Sequence, residues 1–176
     1  MNKQTVLWVL RILVGGLFIF SGLIKVNDPV GTAIKLEEYF DVFSNDIAGF
    51  FAYLKPLALY LSVALVVAEV VLGVMLIFGV KLRQTIWALG LMILFFTFLT
   101  FFSAYFNKVT DCGCFGDAIK LTPWESFYKD IISMAVILVF FIYRDTFKTP
   151  RISHYFVIGS SIISFAIGLY AINFLP

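Results

Sequence analysis

Apolar residues dominate five blocks of the chain, each about as long as a helix that crosses a bilayer. The blocks are residues 6–24, 56–78, 85–105, 126–143 and 155–175. About 20 helical residues cross a hydrocarbon core of roughly 30 Å, and a segment in lipid must satisfy its own backbone hydrogen bonds. The pattern predicts an all-α integral membrane protein with a four-helix bundle core and a fifth transmembrane helix.

A sixth, shorter pattern lies in the first long connection, over residues 31–51. Apolar side chains recur there every three or four residues, and charged side chains fill the opposite face. The apolar positions are Leu36, Tyr39, Phe40, Phe43, Ile47, Phe50 and Phe51. This spacing predicts an amphipathic helix on the outer face. The helix either lies on the membrane surface or caps the bundle, and the alternative role is a docking surface for a partner.

Composition supports a membrane protein. Hydrophobic residues make up 61% of the 176 residues and charged residues 14%, and the mean hydropathy is +0.99. A soluble domain is about half apolar and a quarter charged, so a soluble enzyme and a disordered chain are excluded. The long, non-alternating blocks exclude an outer-membrane barrel. The net charge of +2 leaves no basic surface for nucleic acid, and membrane lipid is the expected surrounding.

Orientation follows from the basic residues in the connections. The totals, seven on one side and six on the other, nearly balance. The two short connections at residues 81–83 and 144–151, however, hold five basic residues and one acid, which is the cytoplasmic pattern. We therefore expect a bacterial inner-membrane protein with a cytoplasmic N-terminus. Both long loops and the C-terminus would then be periplasmic.

The two cysteines of the chain are separated by one residue. Cys112 and Cys114 lie in the second outer loop, residues 107–122, within the sequence Asp-Cys-Gly-Cys-Phe-Gly-Asp. A bend at Gly113 could bring them within disulfide range, and the tight ring would be strained and easily reduced. Closing so short a loop stabilises a fold very little, which favours a redox-active pair. The alternatives are a structural clip and a metal site.

A metal site is poorly supported, because zinc needs four ligands and the single histidine, His154, is predicted on the opposite side of the membrane. After the cysteines, Thr122-Pro-Trp-Glu125 forms a capping box that predicts the start of the fourth helix. Trp124, Phe127 and Tyr128 then form an aromatic band. Such a band is either an interfacial belt or a platform for a lipid-soluble quinone.

Two charged residues interrupt the apolar blocks, Arg11 in the first and Glu69 in the second. Charges at this depth mark functional sites by default. Glu69 lies 13 residues after Pro56, roughly 20 Å from the outer end of its helix. We expect a buried Arg11–Glu69 ion pair, and the alternative is a protonatable group for quinone chemistry or transport. Gly15 and Gly22 predict close packing of the first helix.

The chain resembles the MauE/DoxX group of bacterial membrane proteins over about residues 5–145. The resemblance rests on three stretches, Arg11-x3-Gly15-x6-Gly22-x2-Lys25-x2-Asp28-Pro29, Pro56 with Glu69-x3-Gly73-x5-Gly79, and Cys112-Gly-Cys-Phe-Gly116. It implies a four-helix domain linked to redox tasks, with Cys112 and Cys114 as the redox pair. MauE-type proteins are implicated in disulfide formation during maturation of a periplasmic enzyme, and DoxD/DoxX-type proteins in quinone-linked sulfur chemistry.

These arguments lead to one functional expectation. Residues 1–145 would form the family domain, and residues 146–176 an additional helix that leads to an outer-face domain outside this chain. Cys112 and Cys114 would exchange disulfides with a periplasmic thioredoxin-like or substrate protein, and electrons would pass to or from a quinone cofactor. The first alternative is a non-enzymatic assembly or docking subunit with a structural Cys-Gly-Cys clip. The second is a small transporter that uses Glu69.

Overall fold

The computed structural model describes residues 3–106, 108–109 and 121–144, together with eight single positions between residues 155 and 170. Regular structure in these parts is helical. The helices are α1 (Lys3–Asn27), α2 (Pro29–Asp46), a 3₁₀ helix (Gly49–Leu57), α3 (Ala58–Phe78), α4 (Leu82–Phe106) and α5 (Pro123–Ile142). The predicted all-α class is confirmed.

Within the described residues, three helical segments are long and apolar enough to cross a membrane. They are Lys3–Asn27, Gly49–Phe78 and Leu82–Phe106. Helix α5 has 20 residues and carries three charged residues within its first eight positions. The fifth predicted block, residues 155–175, lies mostly outside the described residues, and so does most of the cysteine loop, including Cys112 and Cys114.

Helices α1 and α3 form the closest packing in the bundle. A Cβ atom at Gly73 would lie 2.8 Å from the carbonyl oxygen of Gly15, and one at Gly22 would lie 2.6 Å from a methyl group of Val70. The two backbones can approach so closely because these residues are glycines, which have a hydrogen atom in place of a Cβ atom. The close packing predicted at Gly15 and Gly22 is confirmed, and Gly73 of the family pattern completes this contact.

The largest apolar core lies in the half of the bundle away from α2, between α1, α3, α4 and α5. Its fully or nearly fully buried members include Leu76, Ile86, Leu89, Ile137 and Phe140. At the same level Trp87 of α4 contacts Phe141 of α5 edge-on, with ring centroids 4.9 Å apart. This half of the bundle is therefore packed with apolar side chains, and the polar groups are concentrated in the other half.

Helix α2 caps the bundle. Its buried side chains are those of the predicted apolar face, among them Leu36, Tyr39, Phe40 and Phe43. Phe43 meets Phe102 of α4 edge-on at 5.0 Å between centroids. The predicted amphipathic helix is thus confirmed, although α2 ends at Asp46 and residues 49–57 form the separate 3₁₀ helix. Of the two placements weighed for this helix, the structure shows the cap.

The predicted start of the fourth helix is also confirmed. The Thr122 hydroxyl accepts a hydrogen bond from the Glu125 backbone N–H, and the Glu125 carboxylate accepts one from the Thr122 backbone N–H. These two bonds satisfy donors that a helix N-terminus otherwise leaves without partners. Residue 122 is therefore fixed at the start of α5, although it follows the cysteine loop directly.

We expect Thr122→Val to destabilise the folded protein by about 1 kcal/mol, because valine keeps the shape of threonine but cannot accept the N–H bond. The measurement is the thermal unfolding midpoint of the purified protein in detergent. Thr122→Ser keeps a hydroxyl and serves as the matched control. An equal loss in both variants would contradict a role for the capping bond.

Candidate functional site

A cavity lies between the five helices α1 to α5, in the half of the bundle next to α2. The cavity volume, measured for the centres of water-sized spheres, is about 70 Å³, and the cavity is partly open at its mouth. Most of the lining is apolar and aromatic, including Leu65, Phe95, Phe96 and Leu99. Interhelical cavities of this kind, with a few convergent polar groups, are the usual form of a small-molecule site.

The first polar group in the cavity is a buried ion pair between α1 and α3. The Lys25 ammonium lies 2.9 Å from a Glu69 carboxylate oxygen, and the two side chains are 7% and 5% exposed. The Lys25 ammonium also lies 4.8 Å from the centroid of the Phe96 ring. A cation, a carboxylate and an aromatic face therefore meet in one place inside the bundle.

The direction of the side chains explains this pairing. In a helix the Cα–Cβ bond tilts toward the helix N-terminus. Helices α1 and α3 are antiparallel, since Gly15 meets Gly73 and Gly22 meets Val70. Lys25 therefore reaches back along α1 while Glu69 reaches in the opposite direction along α3, and the two charges converge.

The predicted Arg11–Glu69 pair is wrong. Arg11 is buried at the other end of the α1–α3 contact, where its guanidinium donates hydrogen bonds to the carbonyl oxygens of Leu76 and Ile77. These carbonyls belong to the last turn of α3, which ends at Phe78 and is followed by Gly79 with φ of 71°. A guanidinium there adds donors to the last carbonyls of the helix and complements the negative end of the helix dipole.

The second polar group in the cavity is Asp130 of α5, which is fully buried. One of its carboxylate oxygens accepts a hydrogen bond from the Thr100 hydroxyl of α4 at 3.1 Å. The other lies 2.9 Å from the ammonium of Lys129. The cavity therefore contains two carboxylates on different walls. Glu69 accepts a hydrogen bond from Lys25, whereas the Asp130 oxygen near Lys129 is in ion-pair contact without a hydrogen bond.

Sequence reasoning missed this second group. Lys25 directly follows the predicted block 6–24, and Lys129 and Asp130 lie near the start of the predicted block 126–143. The sequence pattern therefore groups all three with the charges of the outer loops. One signal was available in the sequence. Ser126, Asp130 and Ser133 recur at intervals of four and three, and all three are buried on one face of α5. A polar stripe at helical spacing on a membrane helix predicts an inward-facing polar site.

The described residues at the two ends of the cysteine loop are anchored at the α2 end of the bundle. Val109 is 2% exposed, and its carbonyl accepts a hydrogen bond from the Ser103 hydroxyl. Lys108 forms an ion pair with Asp46 at the end of α2. Thr122 caps α5 as described. Cys112 and Cys114, the predicted redox pair, lie outside the described residues, while both ends of their loop lie near the cavity.

A metal centre has no support in the described parts of the chain. No group of three or more His, Cys, Asp or Glu side chains there is arranged to hold an ion. The carboxylates of the cavity are each engaged by lysine, which competes with a cation for the same oxygens. The chemistry this cavity offers is hydrogen bonding and charge, held against apolar and aromatic walls.

Comparison with known proteins identifies the family of this chain. Residues 3–143 match the family described as methylamine utilisation protein MauE. Protein TlpB of Flavobacterium psychrophilum is 27% identical over 168 residues, which cover 93% of this chain and 43% of TlpB. The chain thus spans less than half the length of that curated relative. No solved structure matches it. The MauE match covers most of the sequence, and the protein is a membrane protein that belongs to the MauE family.

Proposed function

We propose that this protein is a membrane thiol–disulfide redox protein that exchanges disulfides through Cys112 and Cys114. The exchange takes place on the periplasmic face of the bacterial inner membrane, with the N-terminus in the cytoplasm. The partner is a thioredoxin-like or substrate protein, and a membrane quinone is the second redox partner. Membership of the MauE family and the Cys-Gly-Cys sequence support this assignment.

In this exchange the protein oxidises its partner. A partner thiolate attacks one sulfur of the Cys112–Cys114 disulfide, forms a mixed disulfide and releases the other cysteine as a thiolate. A second partner thiolate then attacks the mixed disulfide. The partner leaves with a disulfide, and Cys112 and Cys114 are left as thiols. A quinone, when bound, would accept the two electrons and two protons released as the Cys112–Cys114 bond forms again.

The observation that carries the proposal is the position of the cavity relative to the ends of the cysteine loop. Thr100 lies six residues before the end of α4, and Asp130 lies seven residues after the start of α5. At 1.5 Å per residue, both stand about 10 Å from the helix ends that flank the loop. A small molecule in the cavity would therefore lie close to the anchored ends of a loop that carries the only two cysteines.

The chemistry of the cavity fits a quinone. A quinone ring is flat and apolar with two carbonyl oxygens, so it needs apolar or aromatic walls and hydrogen-bond donors. The cavity offers Phe95, Phe96 and Leu99 as walls, and the Lys25 ammonium as a donor inside it. The family resemblance suggested the quinone, and this donor set agrees with the suggestion.

The redox state of Cys112 and Cys114 in intact cells tests the proposal. Cells are quenched with acid and then alkylated with a membrane-impermeant maleimide, before and after quinone depletion. We expect a pair that is labelled from outside, that is present in both redox states, and that shifts toward thiols when quinone is removed.

The matched control is the single variant Cys112→Ser, which leaves one thiol and cannot form the intramolecular bond, so its labelling should not respond to quinone. A wild-type pair that remains fully oxidised under all conditions would overturn the proposal. In that case the Cys-Gly-Cys sequence would be a structural clip, and the docking-subunit alternative would apply.

A further inference from the structure

We infer that the cavity between α1 and α5 is the binding site for the quinone ring, with the Lys25 ammonium as the donor to one ring carbonyl oxygen. This inference rests on the proposed function, because it assigns a location to the quinone partner. It adds residues that the cysteine chemistry does not require, and it can be tested without the cysteines.

Burying the Lys25–Glu69 pair within the bundle costs free energy. Both side chains are almost completely buried within membrane helices, where a charged group is expensive even when it is paired. A pair kept only to hold α1 against α3 is not needed, since the glycine contacts at Gly15, Gly22 and Gly73 already bring the two backbones together. A ligand with a polar atom in the cavity gives the pair a function.

The shape of the surroundings of Lys25 also supports the site. The Lys25 ammonium lies 4.8 Å from the centroid of the Phe96 ring, so the positive charge lies beside the aromatic side chains that α4 contributes to the cavity. Phe95 and Leu99 continue this wall along α4. A flat ring that packs against these side chains would bring its edge, where the carbonyl oxygen is, toward the ammonium.

A second set of charged groups lies on the opposite wall of the cavity. Asp130 is fixed by Thr100 and Lys129 on the α4–α5 wall, whereas Lys25 and Glu69 belong to the α1–α3 wall. The two oxygens of a quinone are on opposite edges of its ring. Lys129 lines the cavity beside Asp130 and is the cation on this wall that can donate, because a carboxylate only accepts hydrogen bonds. A cavity with one ammonium on each of two walls and apolar side chains between them matches that distribution, whereas a lipid chain would find no use for either group.

The test measures quinone binding by the full-length protein in lipid nanodiscs. The probes are decylubiquinone and a short-chain menaquinone analogue, together with an azido-quinone for photo-cross-linking. We expect cross-links on peptides of α1, α3 and α4 that line the cavity. In the double variant Lys25→Met with Glu69→Leu, we expect binding to weaken by about tenfold or more, as for loss of a charge-assisted hydrogen bond.

Two further variants make the result specific. Lys55→Gln removes a lysine whose ion pair with Asp41 is exposed near the start of α3, and it should bind quinone like the wild type. Thr100→Val removes one hydrogen bond inside the cavity without removing a charge, and it should weaken binding by a smaller factor. This variant also tests the site if the double variant fails to fold.

The outcomes separate this inference from the proposed function. If Cys112→Ser with Cys114→Ser binds quinone normally and the Lys25–Glu69 double variant does not, the site is supported whatever the cysteines do. If the cysteines respond to quinone in cells but cross-links map elsewhere and binding survives the double variant, the site is wrong and the proposed function stands. Cross-links confined to the lipid-facing surface would likewise contradict the assignment of the quinone site to the cavity.

Discussion

Replacing Lys25 with methionine is expected to destabilise the folded protein by about 3–5 kcal/mol, because the change leaves the Glu69 carboxylate buried without its partner. Glu69 is 4% exposed, so few water molecules can reach it to replace the lost ammonium. Glu69→Leu alone should have a comparable effect, since it leaves the buried Lys25 ammonium without its partner carboxylate.

The double variant Lys25→Met with Glu69→Leu should be much more stable than either single variant, because apolar side chains of similar volume replace a buried pair with little loss. The measurement is a double-mutant cycle of unfolding free energies, obtained by titration with SDS. Lys55→Gln breaks an exposed ion pair and should cost no more than about 1 kcal/mol. Additive effects of the two single changes would show that the pair does not couple α1 to α3.

The second large effect is expected at the glycine contact between α1 and α3. A Cβ atom introduced by Gly73→Ala would lie 2.8 Å from the Gly15 carbonyl oxygen and 3.1 Å from the Ile19 backbone nitrogen. Backbone atoms cannot move aside as a flexible side chain can, so the helices must separate. We expect a loss of about 1–3 kcal/mol, as for overpacked cores, measured as a lower thermal unfolding midpoint.

Gly16 supplies the control for this prediction, one residue along α1 from Gly15. A Cβ atom at Gly16 would have no neighbour within 4 Å. Gly16→Ala should therefore be neutral or slightly stabilising, because alanine is the better helix former. If Gly73→Ala and Gly16→Ala unfolded at the same temperature, the close contact would contribute nothing to stability.

The difference between these two neighbouring glycines illustrates what the sequence could predict. Gly15 and Gly16 are both apolar positions within one helix, and local pattern alone does not distinguish them. The family spacing includes Gly15 and omits Gly16. The structure supplies the reason, since only Gly15 faces Gly73 across the α1–α3 contact.

The cavity could be predicted only in part. Sequence reasoning singled out Glu69 as a deep acid but assigned it to Arg11, because it estimated depth from the apolar blocks and treated Lys25 as the first residue outside. Helix α1 continues to Asn27, so Lys25 is helical and buried. The partner of Glu69 depends on the stagger of α1 against α3, and no spacing within a single helix specifies that stagger.

The sequence by itself determined the features that depend on neighbouring residues. Membrane helices follow from runs of apolar side chains, the amphipathic α2 from its spacing, and the start of α5 from a capping box four residues long. Each requires interactions within a few turns of one helix, so the local sequence contains all the information.

Only the tertiary structure decided which charges meet. Lys25 pairs with Glu69, Asp130 accepts a hydrogen bond from Thr100, and Arg11 donates hydrogen bonds to carbonyls at the end of α3. The partners in these contacts are 30 to 65 residues apart in the chain. They meet because small residues let helices approach at one stagger and side chains tilt toward helix N-termini, and both effects act only once the helices are packed.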